Sequence, residues 1–350
     1  MRWLFRWFGR LLMVLAAFVV ILLAPIAYVE LACRSEPLPD NYVSILPPEH
    51  RRPESRTLLT YPEWHIVHAY DDYARVISEG DPHDFGFFSS ITGFWSSLCS
   101  LSKASGAHGG FPWETKQMVY TIGVSFTAEF GAKAAYEETL GRIATWIRGS
   151  NRAPLDDLSA RQAADYAAFL QQTPWYKWDF AAANNELAAA NSGTFRDQER
   201  RIALGIENWV KSGYADIIAS AVETVGADDL TLRMIVNGLT IEDLSELEVV
   251  QIISNRPQGI EIETPRYRDL THILQKLAHL GADFVEIAGN DDILFTTTST
   301  EFRASDALIS FPRQGYGDYR HLSMVRVNEL AGRLRDIETG PVALEHVHDF

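Results

Sequence analysis

The chain has 350 residues, of which 47% are hydrophobic and 22% are charged, a balance typical of folded globular proteins that excludes a disordered chain. Its 46 acidic and 31 basic residues give a net charge of −15, which opposes binding to phosphate backbones, so nucleic acid is not expected as a partner. The two cysteines, Cys33 and Cys99, exclude a disulfide framework by their number, although a single bridge between them remains open.

The N-terminal segment combines a basic, aromatic flank with a long uncharged run. Residues 1–10 carry three arginines interleaved with tryptophan and phenylalanine, and residues 11–29 contain no charged side chain. Because a helix rises about 1.5 Å per residue, residues 11–32 can cross a bilayer core of roughly 30 Å. The sequence therefore predicts a single transmembrane helix at 11–32, with the lipid bilayer as its partner.

The flanks of this segment predict its processing and orientation. A cleaved signal peptide has an apolar core of only about 7–15 residues, and Glu30 disfavours lipidation of Cys33, so an uncleaved signal anchor is predicted. The N-terminal arginines favour a cytoplasmic N-terminus. Scarce lysine and abundant alanine are typical of a bacterial chain. The predicted location is therefore the inner membrane, single-pass, with an extracytoplasmic (periplasmic) body; the reverse orientation remains open.

A connector and a helical region follow the predicted anchor. Residues 33–59 are rich in proline, which resists helix formation, and are predicted to be an extended connector that drapes over the body. Residues 60–228 are predicted to be a mainly helical domain. The sequence from Thr60 to Glu63 resembles a helix start, and this first helix is expected to end at Glu79. Further helices are predicted at 85–102, 113–147, 159–172, 178–190 and 195–225.

Residues 229–350 change to short β-branched segments that alternate with helical patterns. The segments Asp283–Asn290 and Asp291–Thr298 predict a hairpin that turns at Gly289-Asn290. Other strands are predicted at 232–239, 249–254, 259–263, 307–311 and 342–347, with helices at 266–280 and 325–337. The predicted fold class is α+β: a single N-terminal transmembrane helix, a helical aromatic-rich region, then a C-terminal sheet with helices on one face.

Three polar residues of the first predicted helix share one face. His65, His68 and Asp72 stand at positions i, i+3 and i+7, and imidazole and carboxylate groups at this spacing can bind zinc or another divalent metal. His83 or His108, on neighbouring loops, can supply a further ligand. The alternative is a solvated or partner-facing surface, because the same face continues with charged residues.

Two weaker candidates lie elsewhere in the chain. Glu129 stands in a mostly apolar predicted helix, where a buried carboxyl would have a raised pKa and act as a general acid or base. The alternative for Glu129 is an ordinary ion pair with Lys133, four residues along. Near the C-terminus, His346 and His348 share one face of a predicted strand and can chelate a metal, with the exposed side of an edge strand as the alternative.

No motif in the sequence assigns a reaction or a cofactor. The nucleophile elbow, the P-loop, the dinucleotide fingerprint and the Cys-x-x-Cys pattern are all absent. The leading hypothesis is a membrane-anchored binding or accessory protein whose acidic body meets an envelope protein partner. Two alternatives remain open: a metal- or haem-dependent enzyme of the envelope that uses His65, His68 and Asp72, and a carrier of a small apolar or lipid ligand.

Overall fold

The protein combines a helical N-terminal part with two antiparallel sheets in its C-terminal part. A computed structural model describes the chain except for Met1, Asp40, Asn191, residues 226–229, Arg303 and Ser305. The α+β class and the helical, aromatic-rich region are confirmed. The expectation of one sheet is wrong, because the described strands divide between two sheets of four strands each.

The N-terminal helices agree closely with the predicted ones. They are α1 (Arg2–Ala32), α2 (Arg56–Glu79), α3 (Phe87–Ala104), α4 (Trp113–Tyr136), α5 (Arg142–Arg148), α6 (Pro154–Leu170), α7 (Phe180–Ala189) and α8 (Phe195–Val225). α2 starts one turn earlier than predicted, and the Thr60 hydroxyl lies inside it, where it donates to the Thr57 carbonyl at 2.8 Å. A π-helical turn over Glu137–Gly141 joins α4 to α5, close to the single helix predicted there.

The transmembrane anchor predicted at 11–32 is wrong. Within the part of the chain that the structure describes, no helix combines the length and the hydropathy needed to cross a membrane. α1 forms, but its last turns belong to the folded body: Val29 and Cys33 are fully buried, and Ile26 packs against the same core. The predicted signal anchor and inner-membrane location depended on this span and are wrong with it, whereas the partner prediction is not tested by this finding.

Two links fasten the end of α1 to α3 and α4. Cys33 and Cys99 form a disulfide with Cα atoms 5.1 Å apart, so the bridge that the sequence left open is present. The Glu30 carboxylate lies 2.6 Å from the Lys116 ammonium and accepts a hydrogen bond from the Tyr120 hydroxyl at 2.5 Å. Burial raises the pKa of Glu30, but these two bonds outweigh it and hold the pKa at about 2.

The C-terminal part contains two units with the same order of elements. The first unit contains β1 (Thr231–Asn237), α9 (Ile241–Ser245), β2 (Gln251–Arg256), β3 (Gly259–Pro265), α10 (Arg268–His279) and β4 (Asp283–Ile287). The second contains β5 (Asp292–Ser299), β6 (Ile309–Pro312), β7 (Tyr319–Arg326), α11 (Val327–Thr339) and β8 (Ala343–Val347). The sheet orders, β2-β3-β1-β4 and β6-β7-β5-β8, are equivalent. Apart from α9, each unit is therefore a β-β-β-α-β arrangement.

The hairpin predicted at Gly289-Asn290 is wrong. β4 pairs with β1, whereas β5 pairs with β7 and β8, so this turn carries the chain from one sheet to the other. Only an isolated bridge joins Ile287 to Asn290. The physical reason is that each strand pairs with strands of its own unit. The residues of the turn between β4 and β5 do not indicate which strands pair.

The proline-rich connector lies along the first sheet. Glu286 of β4 is fully buried, and its carboxylate accepts four hydrogen bonds from the connector at 2.6–3.0 Å. The donors are the hydroxyls of Tyr42 and Ser44 and the backbone amides of Ile45 and Leu46. Because a buried carboxylate needs such donors, Glu286 fixes the path of the connector.

The two largest of four apolar clusters place α2 at the centre of the molecule. One core joins β1, β3 and the second unit through α10 and α11. The other is rich in aromatic rings and lies among α2, α3, α4 and α6. Since α2 packs against these helices and also contacts β5, its remaining face meets the second sheet. This face carries the polar residues that the sequence singled out.

Candidate functional site

The face of α2 that carries His65, His68 and Asp72 is buried. Their spacing places them side by side, as predicted, and only 5–8% of each residue is exposed. The Nε2 atom of His65 lies 2.8 Å from the Ser90 carbonyl of α3, and Asp72 accepts a hydrogen bond from the Gln314 amide at 3.0 Å. The alternative of a solvated surface therefore does not hold for these residues.

The C-terminal residues of the third candidate meet this same face. Glu345 and His346 lie on β8 and His348 follows it; both histidines are fully buried, so the exposed-edge alternative does not hold. The Trp64 ring of α2 lies 3.5 Å from the His346 ring, between centroids, and His68 Nε2 lies 3.5 Å from a Glu345 oxygen. We call His65, His68, Asp72, Glu345, His346 and His348 the histidine cluster.

Two further members of this environment were missed from the sequence. Arg320 of β7 is buried, and its guanidinium binds both carboxylate oxygens of Glu345, one of them at 2.7 Å. The Tyr61 hydroxyl is buried nearby, with its ring 5.6 Å from the His348 ring. The sequence did not predict β7 because arginine and histidine occupy positions where an alternating strand usually carries apolar residues.

Burial controls the protonation of the cluster. It lowers the pKa of His65 to about 4 and that of His348 to about 3, and it lowers the pKa of His68 and His346 well below the ordinary value. Burial also raises the pKa of Asp72 to about 7, against the opposing charge of the nearby arginines. At neutral pH the four imidazoles are therefore uncharged, whereas Asp72 is close to half-protonated.

Several buried polar atoms of this region lack a hydrogen-bond partner among the described residues. They are Tyr61 Oη, His65 Nδ1, His68 Nε2, Asp72 Oδ1, His346 Nε2 and both ring nitrogens of His348. Each such atom costs about 1–3 kcal/mol unless a bound group satisfies it. No three ligand atoms of the described cluster lie within 4.8 Å of one another, so the metal site at His65, His68 and Asp72 stays a prediction.

Glu129 lies in a network of two acids and two lysines. The Lys211 ammonium is 2.8 Å from a Glu129 oxygen, whereas Lys133, the partner expected from the sequence, is 3.9 Å away. The Tyr70 hydroxyl donates to Glu129 and accepts from Lys211 at 2.9 Å. Burial lowers the pKa of Lys211, but Glu129, Tyr70 and Glu207 outweigh it and hold that pKa well above its ordinary value. A charged Lys211 fits an ion-pair role for Glu129, and its catalytic role stays a prediction.

This network borders a small cavity of about 60 Å³, lined in part by Tyr70, Lys133, Tyr166, Glu207 and Lys211. Ligand sites usually occupy about 300–1,000 Å³, so the cavity is too small for an apolar or lipid cargo. A second, open cleft of about 500 Å³ lies beside Asp81, Trp146 and Arg148. Neither space is lined by His65, His68 or Asp72.

Two tyrosine variants test these networks as a matched pair. Replacing Tyr70→Phe should lower the free energy of unfolding by about 1–3 kcal/mol, because it removes the hydroxyl that bridges Glu129 and Lys211. Replacing Tyr61→Phe should not lower the free energy of unfolding and should raise it by up to about 1–3 kcal/mol, because it removes a buried hydroxyl that has no hydrogen-bond partner among the described residues. Urea unfolding of both variants checks this, and equal losses would contradict the assigned hydrogen bonds.

A large exposed apolar surface lies on the π-helical turn, α5 and α8, and α5 packs against α8. Trp146 is 81% exposed and Trp209 is 74% exposed. The other apolar side chains on this surface are more than half exposed: Leu140, Ile143, Ile147, Phe195, Ile202, Ile206, Val210 and Ile217. Along α8 they recur at helical spacing and form one stripe. We call these ten residues the α5–α8 surface.

Comparison of the chain with protein-family models, with curated proteins and with solved structures found no match. The functional assignment therefore depends on the geometry of the histidine cluster, the Glu129 network and the α5–α8 surface. Of these three, only the α5–α8 surface presents its defining residues to solvent.

Proposed function

We propose that the protein works by binding rather than by catalysis, and that it docks a second copy of the chain on the α5–α8 surface. The single observation that supports this proposal is the exposure of Trp209 within an apolar stripe along α8, beside α5, on which Trp146 is also exposed. Single exposed apolar residues are ordinary, but contiguous patches of this size mark interaction sites. Tryptophan is also the residue type most enriched among the dominant contacts of interfaces.

The area of the surface is sufficient for a stable dimer. The two tryptophans expose roughly 300 Å² between them, and eight further side chains add several hundred Å². Standard interfaces bury about 800 Å² on each partner, so two such surfaces can form one. A twofold arrangement pairs the same patch on both copies, which needs no second kind of surface.

The net charge of the chain opposes this choice of partner only weakly at physiological salt. The chain carries a net charge of −15, and two acidic bodies repel each other in general. The ten residues that define the α5–α8 surface are uncharged, and exposed charged residues such as Arg142 and Arg201 lie on the same two helices. Salt at about 0.15 M screens these outer charges beyond roughly 8 Å.

The buried position of the histidine cluster weighs against catalysis there. A catalytic group must reach its substrate, and His65, His68 and Asp72 line neither the small cavity nor the open cleft. The cluster instead joins α2 to the second sheet through polar contacts. Binding at the exposed α5–α8 surface is therefore better supported than catalysis at the buried histidine cluster.

A matched pair of isoleucine variants tests the proposal by sedimentation velocity of the full chain. The wild-type protein should form a dimer at micromolar concentration, and Ile206→Glu should weaken the dimer at least 100-fold, because it places a charge inside the apolar stripe. Ile241→Glu is the control, since Ile241 is an exposed isoleucine at the start of α9, outside the surface.

Two results would overturn the proposal. One is a wild-type chain that stays monomeric at 100 micromolar or above. The other is a dimer that Ile206→Glu leaves intact, which would place the contact on another apolar element such as α1, where Val20 and Ile21 are also exposed.

A further inference from the structure

Three chain segments bring two carboxylates and an imidazole together at a place that neither the binding proposal nor the histidine cluster uses. Glu54 precedes α2, His108 lies in the turn after α3, and Asp292 is the first residue of β5. One ligand atom from each of them lies within 4.8 Å of the others. The sequence offered His108 as a ligand to His65 and His68, but the structure places it with Glu54 and Asp292 instead.

Two of the three distances between the ligand atoms fit a tetrahedral zinc ion. His108 Nδ1 lies 3.2 Å from Glu54 Oε2 and 3.6 Å from Asp292 Oδ2. Zinc binds nitrogen and oxygen ligands at about 2.0–2.2 Å, so neighbouring ligands of a tetrahedron stand roughly 3.3–3.6 Å apart. Octahedral magnesium, at about 2.0–2.1 Å, requires roughly 2.9 Å between neighbours. The observed spacing therefore favours zinc over magnesium.

Hydrogen bonds link the three segments that carry the ligands. The Asp292 amide donates to Glu54 Oε1 at 3.2 Å, which leaves Oε2 directed at His108. The Ser55 hydroxyl donates to the Gly110 carbonyl at 2.7 Å and so ties the Glu54 segment to the His108 turn. Gly110 adopts a positive φ of 75°, a conformation that glycine accepts without strain. Hydrogen bonds of this kind orient the residues that bind a metal and raise the affinity of the site.

The site is open on one side. The Glu54 side chain is 5% exposed, whereas the side chains of His108 and Asp292 are 13% and 30% exposed. Three protein ligands with access to solvent leave a fourth zinc position for water. An ion here would also connect the connector, the helical part and the second sheet.

We infer that Glu54, His108 and Asp292 form a zinc site with one water-accessible coordination position. This assignment is independent of dimer formation, because the α5–α8 surface contains none of these residues. The metal joins three segments that are distant in sequence, so its binding also stabilises the folded chain.

Titration calorimetry of the full-length protein with zinc chloride, after treatment with a chelator, tests the assignment. One zinc ion per chain should bind with a dissociation constant in the micromolar range or below, and magnesium chloride should bind at least 100-fold more weakly. His108→Ala and Asp292→Asn should each weaken zinc binding at least 30-fold, while His272→Ala, an exposed histidine of α10, should leave it unchanged.

A second measurement separates loss of the site from loss of the fold. Zinc should raise the thermal unfolding temperature of the wild-type protein but not that of His108→Ala, whose circular dichroism should match the wild type. Absence of zinc binding in the wild-type chain would overturn the inference. Binding that survives His108→Ala but disappears in His348→Ala would also overturn it, because the metal would then lie in the histidine cluster.

Discussion

Lowering the pH from 6.5 to 5 should reduce the free energy of unfolding by roughly 6 kcal/mol. The histidine cluster causes this loss, because burial keeps four imidazoles uncharged in the folded protein: His65, His68, His346 and His348. Folded domains are usually stable by about 5–15 kcal/mol, so a change of this size can unfold the chain.

The direction of the effect follows from proton binding in the two states. Below about pH 6.5 the unfolded chain protonates its histidines and the folded chain does not, so stability is complete above pH 6.5 and falls with pH. Each imidazole contributes about 2 kcal/mol by pH 5. Asp72 acts in the opposite direction. Its pKa of about 7 in the folded protein means that folding favours its protonated form, so between pH 6.5 and pH 5 it offsets about 2 kcal/mol of the loss caused by the histidines.

Urea unfolding at pH 7, 6.5 and 5 checks this prediction. His348→Gln should reduce the pH-dependent loss by about 2 kcal/mol, because one buried imidazole no longer titrates. Replacing the exposed Ile241→Gln, which removes no imidazole, is the control and should leave the pH-dependent loss unchanged. Equal stability of the wild type at pH 7 and pH 5 would show that the four imidazoles are not buried as described.

Removing the disulfide should lower the free energy of unfolding by about 4 kcal/mol. The bridge joins Cys33 to Cys99 across 66 residues of sequence, and a loop of this length strongly restricts the unfolded chain. The variant that replaces both residues, Cys33→Ala with Cys99→Ala, removes the bridge and leaves no unpaired thiol. Both positions are buried, and alanine is small enough to fit there.

The measurement compares urea unfolding of this double variant with that of the oxidised wild type. Reduced wild-type protein is the control and should unfold at the same urea concentration as the double variant. Thiol titration should find no free thiol in the oxidised wild type and two after reduction. A difference in stability below about 1 kcal/mol would mean that the end of α1 is held mainly by other contacts.

The helical part could be predicted well from the sequence because its signals are local. α8 covers residues 195–225 as predicted, and α10 and α11 lie within two residues of their predicted bounds. The second sheet was harder, since β7 carries Arg320 and His321 at buried positions and so lacks the usual alternation. The partners of β5 also lie within its own unit rather than across the nearest turn.

The site was only partly predictable. The spacing of His65, His68 and Asp72 placed them on one face, but a buried polar face and a solvated one have the same periodicity. Their meeting with His346 and His348 joins residues about 280 positions apart, which no local pattern reports. The uncharged run at residues 11–29 likewise did not reveal that its last turns pack into the core.

Hydroxyl-radical footprinting of the full chain tests the central claim most directly, since it reports whether the α5–α8 surface is covered. At concentrations above the dimer dissociation constant, oxidation of Trp146 and Trp209 should fall at least threefold relative to dilute protein. Trp113, which is 57% exposed on α4 and lies outside the surface, should be oxidised equally under both conditions. Unchanged oxidation of Trp146 and Trp209 at every concentration would contradict the proposed role of this surface.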